Sequence, residues 1–382
     1  MIVPVETRRY QRPELARFVR PVSWVLFGAL PVLVVVALFV ETVQDDAVAY
    51  DFRVFFGAAE AVLRGDSPYP PLHDAGAVIA RSFVYPPLTA LAAIPLTVLP
   101  FQAAGLLVQA GLVVAILAAL YVLGVGDWRC YGIVLLWPPV LSAIQTGSVT
   151  ILLVLAAALA WRYRDRTAAS ALAVGIGLAV KTILWPLVVW QAAGRRYAAA
   201  VLSCVSCAAL VLLTWAVIGF AGFADYPDLL RRLERVVGDD SYTAYIVGLD
   251  LGLPSAVARA AWLALGLALL ASVIVLARRG EDRSAFMVAI AASLALTPIV
   301  WLHYFALLAV VVALAKPRLA LAWFVPLGMV LTPGSGHPSP FETAWTLGVA
   351  AATIGIALVG VRESAEKHPL ALSRTDMAAS SP

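Results

Sequence analysis

The sequence predicts an all-α, polytopic integral membrane protein of about twelve transmembrane helices, with amphipathic helices in the loops of one side. Three observations predict it. Of the 382 residues, 62% are hydrophobic and only 13% are charged, with a mean hydropathy of +0.91; soluble domains carry about 25% charged residues. The charges are clustered, which leaves long uncharged intervals, and a helix needs about 20 apolar residues to cross the hydrocarbon core. No stretch has the short apolar–polar alternation of a transmembrane barrel. The net charge of +4 and the pI near 9.0 fit basic cytoplasmic loops. No dense basic run is interleaved with aromatics, so nucleic acid is not expected as a partner.

The chain opens with a basic segment, residues 1–21, followed by an apolar run from Pro21 to Val40. That run is long enough to span and has no small-residue cleavage pattern, so it reads as a retained anchor. Further apolar segments lie near 84–99, 102–124, 130–143, 148–161, 168–180, 183–194, 197–219, 256–278, 284–300, 302–315, 319–333 and 343–361. Several are too short to cross alone at 1.5 Å per residue, and pairs of short segments read as half-spans or hairpins meeting inside the membrane. Residues 22–361 thus form one transmembrane domain, and the tail 362–382 reads as disordered. Cys204 and Cys207 stand at i, i+3 in an apolar helix without a neighbouring His or acid, and read as helix packing.

Basic clusters set the orientation. They are the N-terminus, WRYRDR at 161–166, Arg195–Arg196, ARRGEDR at 277–283, KPR at 316–318, and Arg362 with Lys367. With all of these in the cytoplasm, the turns between them fall on the opposite face: 43–83, IQTGS at 144–148, Lys181, 220–255, TPIVWLHY at 297–304 and GSGHPSP at 334–340. Both termini then share one side, which requires an even number of crossings. One segment must be re-entrant, and 130–143 is the expected one.

Two outer loops are substantial. In 51–64, DFRVFFGAAEAVLR, helical spacing puts Phe52, Phe55, Phe56, Ala59 and Leu63 on one face and Arg53, Glu60 and Arg64 on the other. Gly65 supplies the left-handed stop. This predicts an amphipathic helix at the membrane surface. A second, DYPDLLRRLERVVGDD at 225–240, follows the same pattern.

The chemistry-bearing candidates all fall on that outer face. Asp51 opens the first loop helix, either as a carboxylate stabilised by the helix dipole or as a general base that deprotonates an acceptor hydroxyl. Lys181 lies at the turn between two half-length apolar segments with no acid nearby in sequence. It either faces an anion such as a lipid phosphate or snorkels to the headgroups. His303 can bind phosphate, donate a proton or cap a carbonyl. Gln145, Thr146, Gly147 and Ser148 suit sugar hydroxyls, and equally Ser148 suits a helix N-cap. No phosphate-binding loop, zinc motif or nucleophile elbow occurs, and no nucleotide-binding domain fits between the spans. A transferase of this design takes its donor from the membrane.

These motifs resemble the membrane-embedded C-type glycosyltransferases, specifically glycosyltransferase family 87, which includes phosphatidylinositol-mannoside mannosyltransferases. The resemblance rests on Asp51 with the aromatic helix FRVFFGAAEAVLRG, on Gly65 with Tyr69 as a G-x-x-x-Y turn, and on Tyr85-Pro86-Pro87. It continues with QTGSVT, which departs from a Gly-Gln-x-Asn-like turn at Ser148 and Thr150, with Lys181 to Pro186, with Ser241, and with Pro298, Trp301, His303 and Tyr304. It implies a polyprenyl-phosphate sugar donor, usually of mannose, a lipid or glycan acceptor, and inversion at the anomeric carbon, without a cofactor. Asp51 is then the base, while Lys181, His303 and Arg53 meet the donor phosphate. Tyr69, Tyr85, Gln145, Ser148, Ser241, Trp301 and Tyr304 contact sugar or acceptor. Arg81, with Arg53, flanks the loop as a further phosphate or acceptor contact, or pairs with headgroups. No metal site is expected. Two alternatives stay open: the same fold with a polyprenyl-phosphate pentose such as arabinofuranose, and a lipid or sugar transporter.

Overall fold

The computed structural model describes residues 20–44, 49–70, 82–332 and 338–367. Arg81, most of the basic N-terminal segment, most of the GSGHPSP turn and the end of the tail lie outside the described residues, as do the side chains of Arg362 and Lys367. Among the described residues the chain is helical, with no strand.

Five helices are long and apolar enough to cross a membrane. They are α1 (Arg20–Glu41), α4 (Phe101–Val122), α10 (Tyr197–Val217), α13 (Ser255–Arg278) and the apolar part, Pro340–Val361, of α16 (Pro340–Lys367). The other helices are shorter. They are α2 (Tyr50–Leu63), α3 (Leu88–Ala93), α5 (Trp128–Leu135), α6 (Pro138–Thr146), α7 (Thr150–Arg162), α8 (Thr167–Val180), α9 (Pro186–Ala193), α11 (Tyr226–Val237), α12 (Ala244–Asp250), α14 (Asp282–Ala295) and α15 (Leu308–Ala315). A sixth span is possible if α6 and α7, bent by 119° at their junction, count as one.

The short helices occupy the centre. Every residue of α15 is buried, and so is α14 from Ser284 to Leu294. α13 is mostly exposed along its length, with Val257, Leu263 and Leu267 on the surface. Helices wrapped by protein on all sides can be interrupted by irregular backbone, because neighbouring helices satisfy the freed polar groups. Such interruptions occur at Gly147, at Lys181 and at 296–301.

The reversals gather at two ends. At one, Trp24 stacks on Trp128 with ring centroids 4.6 Å apart, Gly126 N–H donates to the Pro317 carbonyl (3.2 Å), and Leu319 N–H donates to Asp127 (3.2 Å). At this end too, Asp282 accepts from both Nη atoms of Arg196 (2.7 and 3.0 Å) and from Trp190 Nε1 (2.8 Å), with Arg164 Nε 3.6 Å away. Basic turns placed together from the sequence are thus joined by one carboxylate. At the other end, Ala49 N–H donates to the Gln145 carbonyl (2.9 Å) and Tyr242 N–H to the Val300 carbonyl (2.8 Å).

Two expectations change. Residues 130–143 are not a loop returning to its own side: α5 and α6 carry the chain from Asp127 at the first end to Gln145 at the second, with a break at Trp137–Pro138 that Pro138 imposes by lacking an N–H. The segment that turns back is 84–99. There α3 passes into a 3-10 turn, Ile94–Val98, and the chain returns to Phe101, which stacks on Phe52 of α2. Within α2, Leu63 is 59% exposed and Ala58 takes its place among the buried residues Phe52, Phe55, Phe56 and Ala59. The buried face is covered by Phe83, Tyr85 and Phe101. Gly65 has φ +80°, the expected left-handed stop.

Candidate active site

Asp51 lies in the first turn of α2, and three features fix that turn. Ala49, in the left-handed region at φ 59°, reverses the chain into the helix and bonds to the Gln145 carbonyl. The same carbonyl accepts from the buried Gln109 amide of α4 (3.3 Å). Beneath Phe52 runs Gly147, with φ +70°, where a Cβ would come within 2.7 Å of the Phe52 Cβ. The close approach of α2 to the α6–α7 junction therefore depends on glycine at this position.

Around Asp51 the second end gathers groups from four distant parts of the chain. His303, in the 3-10 segment Leu302–Leu307, puts Nε2 3.8 Å from the Asp51 Oδ2. That nitrogen is buried and has no hydrogen-bond partner among the described residues. The Ser148 hydroxyl lies beside Asp51 and favours its charged form. It also accepts from Thr150 N–H (3.5 Å) and lies 3.2 Å from the Thr150 hydroxyl, while the residue that caps α7 is Val149, without a side-chain bond.

Lys181 sits in extended backbone (φ −159°, ψ 127°) between α8 and the turn Thr182–Leu184. Its Nζ donates to the hydroxyls of Tyr85 (3.3 Å) and Tyr304 and lies 3.9 Å from the Tyr304 ring centroid. The side chain is thus held among Tyr85 and Tyr304, where its charge acts on Asp51. Burial pushes the Asp51 carboxyl above the usual carboxylate range; the Lys181 charge and the Ser148 hydroxyl oppose that rise without cancelling it.

The remaining candidates divide. Tyr85 and Tyr304 belong to the cluster through Lys181. Tyr69 donates its hydroxyl to the Tyr85 carbonyl (3.0 Å) and stacks on Trp215, which pins the strand of backbone carrying Tyr85. The Ser241 hydroxyl accepts from Val300 N–H (2.7 Å) and reaches the Pro298 carbonyl (3.4 Å), fastening the second outer loop to the segment that leads into His303. Gln145 enters through its carbonyl, as described. Trp301 is half-buried at the start of the His303 turn. Arg53 is exposed, its guanidinium 4.0 Å over the Phe101 ring. Two contributors were not singled out from the sequence. Gln109 was visible as an amide inside a 22-residue apolar helix. Tyr226, which donates to the Val84 carbonyl (2.9 Å), gave no signal beyond opening an amphipathic helix.

The fold and this cluster define a class: a helical membrane protein with a polar site, carboxylate, ammonium and imidazole together, built into one end of its bundle. The model of glycosyltransferase family 87 matches residues 83–298, more than half of the chain, and the protein belongs to that family. It is a glycosyltransferase, acting between a sugar donor and an acceptor. The matched region includes Tyr85, Ser148 and Lys181, while Asp51 and His303 lie on either side of it. No curated protein and no solved structure shows a significant match to the chain.

Proposed function

We propose that this glycosyltransferase moves a hexose, mannose, from a polyprenyl-phosphate donor to a hydroxyl of a lipid or glycan acceptor, with inversion and on the extracytoplasmic face of the plasma membrane. The observation that carries this reading is the convergence of Asp51, Lys181 and His303 at the end of the bundle opposite the basic turns. In the proposed step Asp51 accepts the acceptor's proton while the acceptor oxygen attacks the anomeric carbon. The bond to the phosphate oxygen breaks, its electron pair goes to the phosphate, and the new bond forms on the opposite face of the sugar. Lys181, oriented by Tyr85 and Tyr304, stabilises the charge growing on the departing phosphate, and His303 adds a donor there. A membrane-borne donor is favoured because the sequence leaves no room for a nucleotide-sugar domain. Twelve crossings, with 84–99 as the re-entrant segment, accommodate the alternation of the two ends.

The test is sugar transfer by the purified protein in detergent, with radiolabelled polyprenyl-phosphate mannose or the corresponding polyprenyl-phosphate pentose, a membrane lipid extract and Asp51→Asn in parallel. Labelled product from the wild type alone supports both donor and base. Product from both proteins removes Asp51 from the role. Transfer only from the polyprenyl-phosphate pentose replaces the hexose.

A further inference from the structure

A second built feature lies at the opposite end of the bundle. Between the α7–α8 and α9–α10 turns is a cavity of about 460 Å³ lined by Arg164, Asp165, Thr167, Arg195, Arg196 and Tyr197. Its cations are not equivalent. Arg164 and Arg196 both reach Asp282, and Arg164 also lies 3.9 Å from Asp165. Arg195 joins no ion pair among the described residues and is held on the cavity wall by a left-handed backbone, φ 61°. The lining thus holds three guanidinium groups and one carboxylate, Asp165, while Asp282 behind it takes up Arg164 and Arg196. Arg196 lies close against Gly194, where a Cβ would come within 2.7 Å of its Nη2, and its buried Nε has no hydrogen-bond partner among the described residues. Both α8 and α10 begin on this cavity, and neither start is capped by a side chain, so unsatisfied N–H groups add to the positive field.

Tyr197 of the cavity wall also begins an apolar stripe on α10. Tyr197, Val201 and Val205 follow one another at i, i+4 and i+8 along α10, exposed by 61, 63 and 55%. A positive pocket for a compact anion that shares Tyr197 with an apolar stripe of a membrane helix matches a molecule with a phosphate at one end and hydrocarbon at the other.

We propose that this cavity binds the phosphate of an anionic glycerophospholipid, with an acyl chain lying along the Tyr197–Val201–Val205 stripe. It is a lipid site separate from the catalytic end, and it does not rest on the identity of the sugar donor. Arg195 supplies the uncompensated charge, while Arg164 and Arg196 hold the wall through Asp282.

The experiment titrates the full chain in neutral detergent with phosphatidylglycerol, phosphatidylcholine of the same acyl composition, or glycerol 3-phosphate, and reads thermal unfolding by tryptophan fluorescence. Phosphatidylglycerol is expected to raise the melting temperature, with binding about tenfold tighter than phosphatidylcholine. Arg195→Gln, which keeps a long side chain, is expected to melt like the wild type without lipid and to lose most of the shift. Equal shifts from the two phospholipids, or an undiminished shift in Arg195→Gln, overturn the proposal. A full shift from glycerol 3-phosphate overturns the lipid as the source of the phosphate. Should the variant not fold, native mass spectrometry of the wild type decides: retention of phosphatidylglycerol over phosphatidylcholine supports the site, and equal retention sinks it.

Discussion

Asp51 is a carboxylate that burial disfavours and that Lys181 and Ser148 only partly rescue, which has two measurable consequences. A general base works only when deprotonated, so a raised pKa moves the acid limb of the rate profile upward. The pH–rate curve of transfer is expected to rise through a limb above 3.8, the ordinary value of the group; a limb at or below that value would remove Asp51 as the titrating base. The sign for stability is opposite. The folded state holds this proton to higher pH than the unfolded chain does, so Asp51 costs stability as pH rises through that interval. Asp51→Asn is therefore expected to lose about 10²- to 10⁴-fold in rate without lowering the melting temperature at neutral pH. For Lys181→Gln the expected loss is about 10²- to 10³-fold in kcat, because a neutral amide can still bond to Tyr85 and Tyr304 but brings no charge to the phosphate. An unchanged kcat would show that the ammonium only positions the two tyrosines.

At the scale of elements, one contact and one cap are the most exposed to test. α2 approaches the α6–α7 junction only because position 147 is glycine. Gly147→Ala puts a Cβ both in a left-handed backbone and against Phe52, a change of about 1–3 kcal/mol. It is expected to lower kcat together with the melting temperature, since α2 carries Asp51. A variant that is less stable but fully active would show that α2 is positioned by other contacts. Asp127 makes a contrasting prediction at the far end. It caps α5 through Arg129 N–H, binds the Arg129 guanidinium and accepts from Leu319 N–H. Chiefly through the Arg129 bond, its pKa is pulled down to about 2. This stabilisation is present above the unfolded carboxylate range and is lost as pH falls toward 2. Asp127→Ala is expected to cost about 1 kcal/mol at neutral pH and to leave KM for donor and acceptor unchanged.

Over the whole molecule, the two ends have different chemistry, and a bilayer between them must separate them. Cysteines introduced at Asp66 and Asp165, both exposed, are expected to react with an impermeant thiol reagent from opposite sides of sealed vesicles. Labelling of both from one side would refute the placing of the two ends on opposite faces. Much of this plan was legible in the sequence, because charge clustering and hydropathy act one segment at a time. The inward turn of Lys181 was not legible, since its partners Tyr85 and Tyr304 lie 96 and 123 residues away.

The sequence by itself determined the helical, membrane-bound class, the segregation of basic turns from polar motifs, the stop at Gly65 and the list of residues worth watching. Each of these follows from composition and from spacing along a single helix or turn. The tertiary structure alone decided which segment turns back, that Ser241 and Tyr69 hold backbone in place, and that Asp51, Lys181 and His303 form one cluster. It also decided that three arginines close on a cavity at the other end. These depend on packing between segments far apart in the chain, where short apolar helices look alike in sequence and only the fitting of one against another selects the break, the register and the neighbours.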